Sequence, residues 1–166
     1  MGNRFGSRTI VQTFLALVVA GAMCWNARAA DFLVTNTSDS GPGTLREAMT
    51  QADSNGEADM ITFNFGSPST FAVTTPLPPL TEGGTTIDGG DVVILDGGDI
   101  VGRGIGFIIN SANNVLENMA TINFPGDGIT ILGTAATSNR GKGCRIGTDG
   151  NRARADGRDG IRIGFG

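Results

Sequence analysis

The sequence predicts an all-β fold, a parallel β-helix solenoid that is preceded by one short capping helix. Three observations carry this prediction. A Gly-Ile-x-apolar pattern begins at Gly104, Gly128 and Gly160, at offsets of 24 and 32 residues. Short apolar segments alternate with Gly, Asn and Asp, which favour turns. Gly accounts for 27 of the 166 residues and aromatic residues for only 6%, so a large helical core is not expected.

The repeat predicts a stack of rungs. Self-similarity at a spacing of roughly 20 to 50 residues is typical of solenoids, in which one unit cannot bury its own apolar face. A rung of about two dozen residues with two or three short strands would bury its aliphatic side chains against the next rung. This interpretation requires Ile105, Ile129 and Ile161 to lie above one another. The alternative is a β-sandwich of hairpins, for which no fixed offset is needed.

Residues 1–29 are predicted to be a secretory signal peptide. Two arginines lie in the first eight residues, and a largely apolar stretch runs from Ile10 to Trp25. Ala27 and Ala29 supply the small residues that a signal peptidase requires. We therefore expect cleavage between Ala29 and Ala30.

Two other interpretations of this segment are less favoured. A membrane-spanning helix needs about 20 predominantly apolar residues, and this apolar run is shorter and contains Gln12 and Thr13. A lipid anchor on Cys24 is disfavoured because Met23 stands where a small residue is expected.

The composition of the predicted mature chain excludes several classes of function. Nine basic residues against sixteen acidic ones give a formal charge of −7, which does not suit nucleic acid or an anionic membrane as a partner. The chain has no His, which excludes His-dependent triads and His zinc sites, and no cofactor is expected. Cys144 would be the single cysteine, so no intramolecular disulfide can form.

Residues 30–84 are predicted to form an N-terminal capping region of one strand, one helix and further strands. Residues 32–35 are rich in β-forming side chains. Thr44 and Glu47 form a Thr-x-x-Glu capping box, which predicts the start of a helix, and Asn55-Gly56 predicts its end. The apolar stripe of this helix consists of Leu45, Ala48, Met49 and Ala52.

Residues 85–166 are predicted to form the β-helix rungs, incomplete at the C-terminus. The Pro-rich segment 76–80 is expected to be an extended connector, because proline lacks the donor that a central strand needs. Gly166 closely follows a rung signal without a capping segment, so we expect a truncated or split member of a longer protein, or one that pairs its open end with another chain. Strands are predicted at 60–65, 70–73, 85–89 and 92–97.

Residues 32–48 resemble the opening segment of the CSLREA-domain family of exported bacterial β-helix proteins, and are similar to the start of polymorphic outer-membrane proteins. The resemblance implies a right-handed parallel β-helix of the pectin-lyase-like type, with the helix at Thr44 covering its N-terminal end. It also implies a secreted or cell-surface location. The sequence departs from the family at Gly43-Thr44, where the family name has Cys-Ser, and at 142–158, which is unusually rich in Arg. Further segments similar to the family are 59–63, 76–78, 86–89, 146–149 and 159–161.

Two groups of carboxylates are candidate sites. Carboxylates at matching corners of successive rungs could bind Ca²⁺, which takes six to eight oxygen ligands, although Asp-Gly pairs are also common in turns. For the second group, a polysaccharide lyase of this fold class would need a base and cations that offset the uronate charge. A glycosidase would need two carboxylates at a suitable distance. A solvated loop of mixed charges is the simpler interpretation. The first group is Asp88, Asp91, Asp96 and Asp99. The second group is Asp149, Asp156 and Asp159, near Arg152, Arg154 and Arg158.

The sequence favours a non-enzymatic, adhesin-like surface or secreted scaffold. The alternative is a fragment of a carbohydrate-active β-helix enzyme, a polysaccharide lyase or hydrolase. No residue is predicted to be catalytic or to bind a cofactor, and the metal question stays open. The expected partners are a cell-surface or polysaccharide ligand, or a second chain at the open β-helix end. Cys144 is expected to be a small buried residue, with an intermolecular disulfide as the alternative.

Overall fold

A computed structural model describes residues 29–165 and confirms the predicted parallel β-helix with one short helix. The solenoid has about four turns. Every pairing between named strands is parallel. Residues 1–28 of the predicted signal peptide, and with them the alternatives for Cys24, lie outside the described residues. In the part of the chain that is described, no helix is long and apolar enough to cross a membrane.

The elements are short and follow one another around the stack. The helix is α1 (Leu45–Ala52). The strands are β1 (Asp31–Val34), β2 (Met60–Phe63), β3 (Ser69–Ala72), β4 (Thr86–Asp96), β5 (Phe107–Ile109), β6 (Val115–Ile122), β7 (Ile129–Leu132), β8 (Arg140–Lys142), β9 (Arg145–Ile146) and β10 (Ile161–Gly164).

The first side of the solenoid runs from β1 through β2, β4 and β6 to β8. Its register aligns one residue of each rung in an outward-facing column, and successive members are 29, 26, 29 and 25 residues apart. The predicted rung length of about two dozen residues is therefore confirmed. The column consists of Asp31, Met60, Thr86, Val115 and Arg140.

The second side is formed by β3, the end of β4, the end of β6, and β9. The predicted strands 85–89 and 92–97 are one strand, β4, whose register with β6 shifts between Asp88 and Val93. Asp91 lies in this interval with a φ of 61°, so the chain turns the corner there without ending the strand. Strands β2 and β3, although within the predicted capping region 30–84, pair in the same ladders as later rungs.

The third side pairs β5, β7 and β10, and here one sequence prediction is wrong. Ile129 lies beside Ile161 as expected, but its partner in the preceding rung is Phe107 and not Ile105. The first copy of the repeat therefore begins two residues later, at Gly106. Ile105 is half-buried, and Leu80 extends this side through a parallel bridge to Ile109.

Stacked glycines explain why the repeat begins with Gly. A Cβ atom added at Gly106 would lie 2.2 Å from the carbonyl oxygen of Gly128, and one added at Gly128 would lie 2.8 Å from that of Gly160. Each rung thus brings its backbone close to the next at this corner. Any larger residue would require the rungs to separate.

Helix α1 begins and packs as its sequence predicts. The Thr44 hydroxyl accepts a hydrogen bond from the Glu47 N–H at 3.3 Å, and the Glu47 carboxylate accepts one from the Gly43 N–H at 2.6 Å. The helix ends at a C-cap on Asp53, two residues before the predicted Asn55. Its predicted apolar stripe is buried in the core with Val34, Ile61, Phe71, Leu77 and Leu80.

Candidate functional site

A column of buried polar side chains precedes the strands of the first side. The Asn114 side chain accepts from the Thr85 N–H at 3.1 Å, and the Asn139 carboxamide oxygen accepts from the Asn114 N–H at 2.8 Å. One rung from the N-terminal end, the Asp59 carboxylate accepts from the Ala30 N–H at 2.7 Å. These side chains satisfy backbone donors of the neighbouring rung, because a buried corner offers no water to do so.

The first group of predicted carboxylates is divided between two corners. Asp88 accepts from the N–H of Gly90 at 2.9 Å and from the Asn118 side chain at 2.8 Å. Asp96 repeats this arrangement at the next corner, where it accepts from the Gly98 N–H and the Asn123 side chain, both at 3.0 Å. Both carboxylates therefore close Asx turns and tie them to the following rung.

The other two members of this group lie apart from that arrangement. Asp91 faces Arg145 at 3.5 Å, and Asp99 is exposed. Among residues 29–165, no three His, Cys, Asp or Glu side chains are grouped so that they could hold a metal ion. This geometry fits turn chemistry better than a calcium site.

The structure places two buried carboxylates, those of Asp127 and Asp156, on the last two rungs, close enough for the charge of Asp127 to affect Asp156. Asp127 is 1% exposed; its side chain accepts from the Thr130 hydroxyl at 3.0 Å and from the Asp159 N–H at 3.2 Å. Asp156 is 9% exposed, and its Oδ1 accepts from the Phe124 N–H at 3.0 Å. Its Oδ2 is buried without a hydrogen-bond partner among the described residues.

The environment of the pair makes Asp156 easier to protonate than an ordinary aspartate. Burial raises the pKa of Asp156 to about 6, the negative charge of Asp127 adds to the increase, and the Phe124 N–H partly offsets both. A carboxyl group with a raised pKa beside a hydrogen-bonded carboxylate is an arrangement that acid–base enzymes use. The sequence singled out Asp156 but not Asp127, although the position of Asp127 immediately before a Gly-Ile repeat was a usable signal.

The second predicted group does not form one site. The Asp149 carboxylate closes a turn by accepting from the N–H groups of Arg152 and Asn151, which lowers its pKa, and it lies 3.1 Å from Arg154. Asp159 offers its backbone N–H to Asp127. Only Asp156 therefore belongs to the buried pair.

Cys144 occupies a half-buried position between β8 and β9. Its thiol donates to the Leu116 carbonyl at 3.2 Å, and burial raises the pKa of the thiol. The sequence predicted a small buried residue within a strand; the side chain is only half-buried and lies between two strands. The protonated thiol is the less reactive form.

Arg46 ties the capping helix to the first rung. Its guanidinium donates to the Asp39 carboxylate at 2.8 Å and to the carbonyls of Thr75 and Pro76 at 2.7 and 2.6 Å. Burial would raise the pKa of Asp39, but hydrogen bonds from Arg46, Thr75 and Thr74 outweigh this effect, so the pKa is lowered. Each residue of the Leu45–Ala48 segment thus has a structural role in the cap.

The last rung has the opposite charge to the rest of the solenoid. Residues 139–165 contain seven basic and three acidic residues, whereas residues 29–138 contain two basic and thirteen acidic ones. Within the described chain, four exposed arginines of this rung have no carboxylate within 4 Å. They are Arg140, Arg152, Arg158 and Arg162.

No protein-family model matches this chain, and no curated protein is significantly similar to it.

Proposed function

We propose that this protein is an exported, non-enzymatic scaffold of the cell surface or the secreted space, with an adhesin-like role. One observation carries the proposal: the buried polar side chains serve as links between rungs. Asp59, Asn114, Asp127 and Asp156 each accept a backbone N–H from a neighbouring rung. These hydrogen bonds hold neighbouring rungs together, which supports a structural role, although the Oδ2 atom of Asp156 has no partner among the described residues.

Export is the first part of the proposal to test. The full-length gene would be expressed in a Gram-negative host, and the protein would be sought in the periplasm, on the surface and in the medium. We expect an exported product whose N-terminal sequence begins at Ala30. A product that keeps Met1 and stays in the cytoplasm would contradict the proposal.

A carbohydrate-active enzyme is the second candidate, because the Asp127–Asp156 pair contains one carboxyl group whose pKa is raised to about 6. Against it, the two residues are only 1% and 9% exposed, which leaves little room for a sugar to reach either carboxylate. The purified exported protein would be assayed for release of reducing ends or unsaturated uronate from polygalacturonate and alginate. Release that disappears in Asp156→Asn would favour the enzyme over the scaffold, and no release is expected.

A further inference from the structure

We propose that the last described rung binds an acidic polysaccharide through a band of four arginines on the outside of the solenoid. The inference rests on the scaffold function proposed above and names the class of its ligand. The arginine band consists of Arg152, Arg154, Arg158 and Arg162, and all four are exposed. Three properties carry the inference: the spacing of the arginines, the state of the neighbouring carboxylates and the height of the band.

Chain geometry keeps the four arginines close together. Successive members are two, four and four residues apart, so their Cα atoms are separated by at most about 7 to 14 Å. Arg162 lies on β10, where it alternates with the inward positions Ile161 and Ile163 and therefore faces outward. Arg158 lies at the corner before this strand, where its N–H donates to the Gly126 carbonyl of the preceding rung at 3.1 Å. The band therefore runs around one corner of a single rung.

A short hairpin holds the other two arginines on the outer surface. Thr148 and Ala153 form an antiparallel bridge, and the Thr148 hydroxyl donates to the Arg152 carbonyl at 2.8 Å. A Cβ atom added at Gly150 would lie 3.3 Å from Cδ of Arg145, so the tip of the hairpin packs on the Arg145 side chain. Arg145 faces outward from β9, because the residue that follows it packs against the core. The hairpin therefore lies on the outside of the stack and not on its end face.

The carboxylates of the same segment leave most of this positive charge uncompensated. The Asp149 carboxylate accepts from backbone N–H groups of the hairpin and lies 3.1 Å from Nε of Arg154, so it balances one arginine. Asp156 is buried. Asp159 is exposed, and no described arginine or lysine has a side-chain nitrogen within 4 Å of its carboxylate. The other three arginines therefore remain available to an anionic ligand, with which a guanidinium can form two parallel hydrogen bonds.

The band is only one rung high, which limits the shape of its partner. Neighbouring strands of a sheet lie about 4.8 Å apart, so the acidic part of the solenoid begins directly beside the arginines. That part, residues 29–138, contains thirteen acidic residues and two basic ones. A membrane surface, a nucleic-acid duplex or an acidic globular protein would cover several rungs and meet this negative charge. A linear acidic polysaccharide that runs around the rung contacts the arginines alone.

Binding to soluble polymers tests the inference. The exported protein would be titrated at low and high salt against fluorescently labelled polygalacturonate, which carries carboxylates, heparin, which carries sulfates, and dextran, which is neutral. Fluorescence anisotropy is the readout. We expect binding to at least one acidic polymer and none to dextran. The affinity should fall by about tenfold or more at high salt, because exposed charges are screened.

Neutral substitutions locate the binding surface. The double variant Arg152→Gln with Arg158→Gln should weaken binding about tenfold or more, since it removes two of the three uncompensated charges. Lysine at both positions should restore the affinity only in part, because it keeps the charge but not the paired donors. Arg103→Gln is the matched control: it removes an exposed arginine outside the band and should leave the affinity unchanged. Circular dichroism would confirm that each variant is folded, and the salt titration needs no variant.

Four results would overturn the inference: no binding to either acidic polymer at low salt, binding that salt does not weaken, an unchanged affinity in the double variant, or an equal loss in Arg103→Gln. Binding to phosphatidylglycerol vesicles without binding to the polymers would also overturn it and assign the band to a membrane surface. Export is measured separately, so a failure of binding leaves the export result intact. A cytoplasmic product that still binds the polymers would contradict only the scaffold function.

Discussion

At the N-terminal end of the solenoid, helix α1 covers the interior, whereas at the C-terminal end the interior residues of β10 remain uncovered. Leu45 and Met49 of the helix are 4% and 0% exposed. Ile161 and Ile163 continue the column of Ile129 and Ile131, yet they are 53% and 71% exposed. The comparison shows that an inward position in a solenoid becomes part of the core only when another layer lies over it.

The largest expected effect comes from removing a buried side chain at the closed end. Met49→Ala should lower the free energy of unfolding by about 2 to 5 kcal/mol, because it leaves a cavity between the helix and the first rungs. Ile163→Ala at the open end should change it by less than about 0.5 kcal/mol. Urea unfolding of both variants measures the difference, and equal losses would mean that both ends are covered in solution.

Arg46 offers a second way to separate the two ends. Arg46→Ala should cost about 2 to 3 kcal/mol, because it leaves the partly buried Asp39 carboxylate and two carbonyls without their charged donor. Arg162→Ala on the last rung is the control, since that side chain is exposed, and it should be nearly neutral. A neutral Arg46→Ala variant would show that the capping helix is held by its apolar stripe alone.

The pH dependence should differ between carboxylates of the two ends. The pKa of Asp156 is about 6 in the folded protein and near 3.8 when unfolded, so the folded state binds more protons between these values. Stability should therefore fall as the pH rises from about 4 to 6, by about 1 to 2 kcal/mol after allowance for partial access of solvent. Asp156→Asn should abolish this slope, which melting temperatures across the range would show.

Asp39 should have the opposite effect on the pH dependence of stability. Its pKa is lowered in the folded state, so its contribution is present above pH 3.8 and is lost as the pH falls below that value. Asp39→Asn should reduce the loss of stability below pH 3.8 and leave the change in stability between pH 4 and 6 as it is. If Asp156→Asn, and not Asp39→Asn, changed the stability below pH 3.8, the assignment of the two pH ranges to these residues would be reversed.

The smallest expected effect concerns calcium. Asp88 and Asp96 each already accept two hydrogen bonds, one from their own turn and one from the following rung. Calcium at millimolar concentrations should therefore leave the melting temperature unchanged. A clear increase that is lost in Asp88→Asn would establish a site at this corner.

The sequence predicted features that depend on neighbouring residues more fully than features that depend on contacts between rungs. The capping box at Thr44 and the apolar stripe of α1 are local patterns, and both were found where they were expected. The pairing of Phe107 with Ile129 was missed, because Gly104 and Gly106 both precede an apolar residue and only the close approach of the rungs distinguishes them.

The buried pair of carboxylates was missed for a related reason. Asp127 and Asp156 are 29 residues apart in the sequence and lie on the last two rungs. The 32-residue offset between the last two copies of the repeat comes from the segment between β9 and β10, which contains the Asp149 turn. Such an insertion changes which side chains lie at the same corner of the solenoid. The pattern of strands in the sequence does not predict this.

The parallel ladders also bear on how the chain would fold while it is synthesised from its N-terminus. Among the described elements, β1 and the helix come first in the chain, and together they form a base on which β2 can pair. Each later rung can then pair with a rung that is already folded, so a partly folded chain would expose one unpaired strand edge at a time.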